Sequence, residues 1–183
     1  MRVCAAGGQI RLERGIMIQV YTGNGKGKTT AALGLGLRAA GAGLKVYIGQ
    51  FIKKGDYCEI KALKKIKNIK AEQFGRGCFI RNAPGKIDIE LAQKGLAKIK
   101  KIIAARAYDV VILDEINVAL KCGLLDLRSV LEILNRAPRK TELILTGRYA
   151  HPQVIRAADL VSEIKEVKHY YRKGMKSRIG IEC

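Results

Sequence analysis

The stretch from Val20 to Leu37, VYTGNGKGKTTAALGLGL, restricts this chain more than any other. An apolar run, MIQVYTG, leads into a loop with glycine at alternate positions, and a helix-forming run follows. A strand, a glycine turn and a helix start in that order predict a phosphate cradle. Gly23, Gly25 and Gly27 leave space where backbone amides must approach an anion closely. The helix that follows brings its positive end to the same point. Lys28 can reach phosphate oxygens as a point charge, and Thr29 can offer its hydroxyl to Mg²⁺. Asn24, Lys26 and Thr30 complete the candidate set, with Lys26 adding a second charge. The spacing is unusual. Counting back from Gly27-Lys28-Thr29, the common pattern expects glycine at position 22, where this chain has threonine.

The rest of the chain alternates short apolar runs with helical patterns. Strands are expected at Ile16–Tyr21, Lys45–Gly49, Ile69–Phe74, Val110–Leu113 and Leu143–Thr146. VSEIKEVKHYY is a further candidate whose period is ambiguous. A helix is expected from Thr29 to Ala40, with Gly41 and Gly43 as stops. Ile89, Ala92, Leu96, Ile99 and Ile103 recur at steps of three and four, which predicts an amphipathic helix from Asp88 to Ala105. Asp126 can cap a helix that buries Leu127, Val130, Leu131 and Leu134. Such alternation predicts an α/β domain with a mostly parallel central sheet and helices on both faces. Arg76 to Lys86 reads as the longest loop. Met17 opens the first clear strand, so residues 1–16 read as a loose tail or a start placed too early, and 17–183 as a single domain.

Two more strand ends carry candidate chemistry. YDVVILDEIN ends an apolar run in acids, and in parallel sheets ligands collect at strand carboxyl ends. Asp114 and Glu115 are therefore candidate Mg²⁺ partners, directly or through water, and one of them can alternatively cap the next helix. LILTGRYAHP ends in Arg148, whose planar fork suits a triphosphate or a structural ion pair. His151 before proline suits a helix cap or the surface, and His169, Tyr170 and Tyr171 suit packing.

Composition narrows the classes. The chain has 183 residues, 48% of them hydrophobic, enough for one core. No apolar run is long enough to span a membrane, and the first residues make a poor signal peptide. The five cysteines are scattered, with no C-x-x-C, which excludes a disulfide framework and a zinc site and leaves the cytoplasm as the expected compartment. Lys and Arg number 35 against 16 acids, for a net charge of +19. That excess attracts polyanions: nucleic acid, a nucleoside triphosphate or an acidic partner. Aromatics are few and no nucleic-acid-binding motif is present, so nucleic acid is not the expected partner. Residues alone thus point to Mg²⁺-nucleotide binding and leave the reaction open.

A resemblance supplies the reaction. TGNGKGKTTAALGLGLRAAG, GQFIKKGDYCE, VVILDEINVALKCGLLD, LILTGR, AADLVSEIKEVKH and KGMKSRIGIE resemble, in order, the motifs of the ATP:corrinoid adenosyltransferases of the cobalamin-biosynthesis type. The match runs from about Met17 to Glu182. The resemblance implies a three-layer P-loop domain of the RecA-like kind. It implies that Co(I) of a cobalamin or other corrinoid attacks the 5′ carbon of ATP and that the triphosphate leaves whole. Lys28, the loop amides, Mg²⁺ on Thr29 and Arg148 would then stabilise the leaving group. Glu115 would be the acidic metal partner with Asp114 beside it, and no general base is needed. The family is understood to strip the lower axial ligand from Co(II) with bulky apolar residues. The matching segment here, QFGRGCFIR, departs from that pattern: Cys78 and Ile80 stand where relatives carry aromatics, and Phe79 is the candidate for the task. The resemblance further implies an electron-donating flavodoxin or similar reductase, and a homodimer.

Three rivals remain on sequence grounds. A P-loop kinase or ATPase would yield ADP or phosphate. A nucleic-acid-binding NTPase would use the basic surface and bind with steep salt dependence. A corrinoid carrier without catalysis would not need the Gly-Lys-Thr and Asp-Glu motifs.

Overall fold

Short apolar runs pair side by side here because each is separated from the next by a helical crossover long enough to return the chain in the same direction. The structure, a computed structural model, describes residues 17–77, 84–138 and 140–182. The strands are β1 (Met17–Thr22), β2 (Val46–Ile52), β3 (Ile69–Gly75), β4 (Val110–Asp114), β5 (Glu142–Thr146) and β6 (Leu160–Glu163). They form one sheet in the order β3-β2-β4-β5-β1-β6, and every pairing is parallel. The helices are α1 (Lys28–Gly41), α2 (Cys58–Leu63), α3 (Lys86–Ala104), α4 (Ile116–Lys121), α5 (Leu127–Arg136) and α6 (Pro152–Ala157).

Strand alternation assigns the two faces. Val46, Ile48, Val110, Ile112 and Ile144 pack with α1 and α2 through Ala32, Ala39, Ile60 and Leu63. Tyr47, Phe51, Val111, Leu113, Leu143 and Leu145 pack on the other side with Leu96 and Ile99 of α3 and Val130, Ile133 and Leu134 of α5. This is the expected three-layer α/β arrangement. Burying a side chain such as Ile112 contributes about 1.5–3 kcal/mol, so the two clusters outweigh any surface ion pair. Gly36 lets α1 sit close to the sheet, since a Cβ there would lie 3.1 Å from Cδ1 of Ile112.

Several expectations need adjustment. β2 runs past Gly49 to Ile52, because Gln50, polar but fully buried, is hydrogen-bonded to Asp114 and Gln73 and so interrupts nothing. The helices α2 and α4 span a turn or two each, too short for an apolar period to register. VSEIKEVKHYY contributes strand only up to Glu163, and β6 is exposed at every position, so it carries no alternation. Its pairing with β1, Gln19 opposite Leu160 through Thr22 opposite Glu163, makes it a strand. Asp126 caps α5 as expected, accepting from the Ser129 amide at 2.8 Å. His151 caps α6, its Nδ1 accepting from the Gln153 amide. Tyr171 is exposed rather than packed. Among the described residues no helix is long and apolar enough to cross a membrane.

Candidate functional site

Because all pairings are parallel, every strand's carboxyl end lies along one edge of the sheet. The glycine loop after β1, Lys53 after β2, Asp114 and Glu115 at the end of β4, and Thr146 and Arg148 at the end of β5 share that edge.

Asp114 is fully buried at its centre. Its Oδ1 accepts hydrogen bonds from Thr29 Oγ1 at 2.8 Å and Thr146 Oγ1 at 2.6 Å. Its Oδ2 accepts from Lys53 Nζ at 2.9 Å and Gln50 Nε2 at 3.1 Å. A buried carboxylate is tolerated when paired and hydrogen-bonded in this way. Thr146 Oγ1 in turn accepts from the Glu115 amide at 3.0 Å, which fixes the turn after β4. Glu115 itself sits in the left-handed region at φ 61 and opens α4, but its side chain makes no cap. Among the described residues its carboxylate has no hydrogen bond or ion pair. Burial, and then the neighbouring Asp114, raise its pKa, while Lys53, Lys28 and Arg148 oppose the rise. A carboxylate in that position gains from an arriving cation.

Lys28 is buried and folds back, its Nζ donating to the Gly25 carbonyl at 2.7 Å. Burial lowers its pKa, Glu115 and Asp114 pull it up, and Arg148 pushes it down. The amides of Gly27, Lys28, Thr29 and Thr30 donate to no other group among the described residues. They stand at the positive end of a 14-residue helix. Arg148 is exposed and in no ion pair among the described residues, which leaves its fork open to a ligand. Asn24 and Thr30 are also exposed at this edge. Thr29, Asp114 and Glu115 supply hard oxygen donors, and among the described residues no group of three His, Cys, Asp or Glu side chains forms a closed cage. That donor set fits a hard divalent cation that keeps waters and takes its remaining oxygens from phosphates.

The glycines divide into two kinds, and this corrects the sequence reading. A Cβ on Gly23 would lie 2.5 Å from the Ile164 carbonyl oxygen, and one on Gly25 would lie 2.7 Å from that of Lys165. The Gly25 amide donates to Ile164 O at 2.7 Å, and the Ile164 amide to Thr22 O at 2.8 Å. These two glycines therefore make room for the chain leaving β6. Of the three loop glycines, only Gly27, at φ 120, has nothing within 4 Å of its missing side chain. Gly25→Ala is expected to cost about 1–3 kcal/mol of stability through overpacking, measured by urea denaturation; an unchanged midpoint would show that the segment at Ile164 gives way freely.

Lys26 points away from the acid pair. Its Nζ donates to Tyr170 Oη at 2.6 Å and pairs with Glu182 at 2.8 Å, and Arg178 holds the same Glu182. Glu182 is held well below the usual carboxylate range by Arg178 and then Lys26. The charge expected to serve the loop's ligand thus ties the loop to the chain's end. Phe79, Cys78 and Ile80 lie outside the described residues. Phe74 is partly buried against the core, its ring tilted against that of Phe51 at 5.7 Å between centroids and filling the space over Gly95. Sequence reading missed Gln50, Lys53 and Thr146. The signal for Gln50 was there: a polar side chain inside an otherwise apolar run. Lys53 had none, being one lysine among many.

Against known proteins, the profile of the family described as ATP:corrinoid adenosyltransferase BtuR/CobO/CobP matches residues 13–183. A corrinoid adenosyltransferase of Pseudomonas aeruginosa is 36% identical over 176 residues, covering 95% of this chain and 86% of the relative. One of Escherichia coli (strain K12) is 36% identical over 181 residues, covering 99% of this chain and 92% of the relative. Among solved structures, a KaiC-like protein of the archaeon Pyrococcus horikoshii superposes with a TM-score of 0.56 at 15% identity, covering 85% of this chain and 75% of that one, a likeness of fold alone. On the strength of a profile match over nearly its whole length, the chain belongs to the ATP:corrinoid adenosyltransferase family.

Proposed function

We propose that this chain transfers the 5′-deoxyadenosyl group of ATP to the Co(I) centre of a cobalamin or other corrinoid. Inorganic triphosphate leaves, and the reaction serves the making or salvage of adenosylcobalamin. The observation that carries the reading is the open helix end beside Lys28, set against an acid pair whose Glu115 carboxylate has no hydrogen bond or ion pair among the described residues. Negative charge grows on the triphosphate as its bond to the 5′ carbon breaks. Lys28, the amides from Gly27 to Thr30 and Arg148 stabilise that charge. Thr29 and Glu115 would hold Mg²⁺, with Asp114 behind them holding the Thr29 hydroxyl in place. Bound there, Mg²⁺ would act as a Lewis acid on the phosphate oxygens. The nucleophile carries its own electron pair, so no side chain has to remove a proton. Both histidines are engaged as caps, His151 on α6 and His169 on the 3₁₀ turn Tyr170–Lys173.

The surface reading follows the same line. The net charge of +19 suits an acidic electron donor, a flavodoxin or similar reductase, steered by long-range attraction. We further propose a homodimer in the cytoplasm, a single domain from residue 17 to 183 with residues 1–16 as a tail, and Phe79 against the lower face of the corrin.

Under anoxic conditions, Mg-ATP and chemically reduced cobalamin are expected to give adenosylcobalamin and one equivalent of inorganic triphosphate, the Co(I) absorbance falling as the cobalt–carbon bond forms. ADP and orthophosphate without a cobalt–carbon bond would instead make the chain an ATPase.

A further inference from the structure

Three features converge on Lys53. The first is backbone geometry. Ile52 has φ 68, and the Lys53 amide donates to the Phe51 carbonyl at 2.7 Å. Together these define a γ-turn of the rare, strained kind, at a β-branched residue that strongly disfavours it. The second is a space made for that turn. Gly75 of β3 pairs with Ile52, and a Cβ there would come within 2.0 Å of the Ile52 carbonyl oxygen. The third is where the turn sends the next side chain. Lys53 Nζ lies 2.9 Å from Asp114 Oδ2 and 3.3 Å from Thr29 Oγ1. Its side chain is 19% exposed, in a chain whose other lysines mostly face solvent. Strain of this kind persists only where surrounding structure holds it, and it collects at functional positions.

We propose that Lys53, paired to Asp114, is a tethered counter-ion standing at the Thr29 hydroxyl on the seat that Thr29 and Glu115 would give a divalent cation, and that the cation must displace it to enter. The inference rests on the reading that Thr29 and Glu115 hold the metal, with Asp114 behind them. An ammonium at hydrogen-bonding distance from both oxygens competes with a divalent ion that needs the same hydroxyl. A bare ion therefore faces a cation already in place. An ion arriving on a triphosphate brings negative charge that can receive the displaced ammonium. Lys53 thus discriminates against free divalent ions and couples metal entry to nucleotide entry. It is a positioning residue for the reaction.

The test is Mn²⁺ binding to the nucleotide-free full chain, read by electron paramagnetic resonance. Lys53→Met is expected to bind bare Mn²⁺ about tenfold or more tightly than the wild type. Lys53→Arg keeps the charge and should bind as weakly as the wild type. Thr29→Val in the Lys53→Met background should abolish the gain. If Thr29→Val changes nothing, the metal reading fails and the proposal falls with it. If Thr29→Val abolishes binding but Lys53→Met binds no tighter than the wild type, the metal reading stands and the proposal is overturned. Should Lys53→Met fail to fold, the wild type gives the answer. Saturating Mn²⁺ without nucleotide should raise acylation of Lys53 by an N-hydroxysuccinimide ester several-fold, quantified by peptide mass spectrometry. An unchanged rate with Mn²⁺ bound overturns the proposal.

Discussion

Replacing Lys28 with alanine lowers the turnover number for adenosyl transfer by about 10²–10³-fold, the loss typical of removing one donor to a developing negative charge. The structure makes the cause specific. Lys28 is buried with one hydrogen bond, to the Gly25 carbonyl, so its ammonium is desolvated and underused in the nucleotide-free chain. A triphosphate leaving group would complete its partners at the moment when charge grows most. Alanine removes a group that is costly to bury, so the variant should fold as well as the wild type. Lys28→Arg should not rescue, because a planar fork cannot occupy a position shaped for a point charge folded over its own loop. Steady-state kinetics of adenosylcobalamin formation, with circular dichroism as a folding check, decide the matter. A turnover number within about threefold of wild type, well short of one lost transition-state donor, would reduce Lys28 to a packing residue.

The second large effect is on stability. Asp114→Ala removes one partner of a buried, multiply bonded pair and leaves the Lys53 ammonium and the donors of Thr146 and Gln50 without their acceptor. Breaking such a pair costs about 3–5 kcal/mol. In a chain of this length that lowers the melting temperature by roughly 6–20 °C. The double variant Asp114→Ala with Lys53→Met should recover part of the loss, because the orphaned charge goes with its partner. Calorimetry on the four proteins of that cycle measures the coupling. Additive losses would mean that the pair contributes nothing beyond its separate hydrogen bonds.

Much of this was legible in the chain, and the reasons are physical. β4 and β5 are buried on both faces, so they read as continuous apolar runs, and the helices α1 and α3 are long enough to show a period. The acids at the end of β4 and Arg148 after β5 follow from the rule that parallel strands deliver their ends to one edge. What a local window left ambiguous depended on contacts distant in sequence. β6 is a strand only through its pairing with β1. Gly23 and Gly25 look like ligand glycines in a local window, yet their neighbours are Ile164 and Lys165. Lys26 resembles a phosphate ligand until Glu182 is brought beside it.

The packing of Ile164 and Lys165 against the loop has a consequence for inheritance. The loop and the segment after β6 are read as separate motifs, yet they can vary only as one unit. A side chain gained at Gly23 or Gly25 calls for a compensating shift some 140 positions away, in a backbone rather than in a side chain. Chimeras that exchange the loop between relatives should therefore carry the segment after β6 with it, and grafts of the loop alone should lose their shape before they meet any nucleotide.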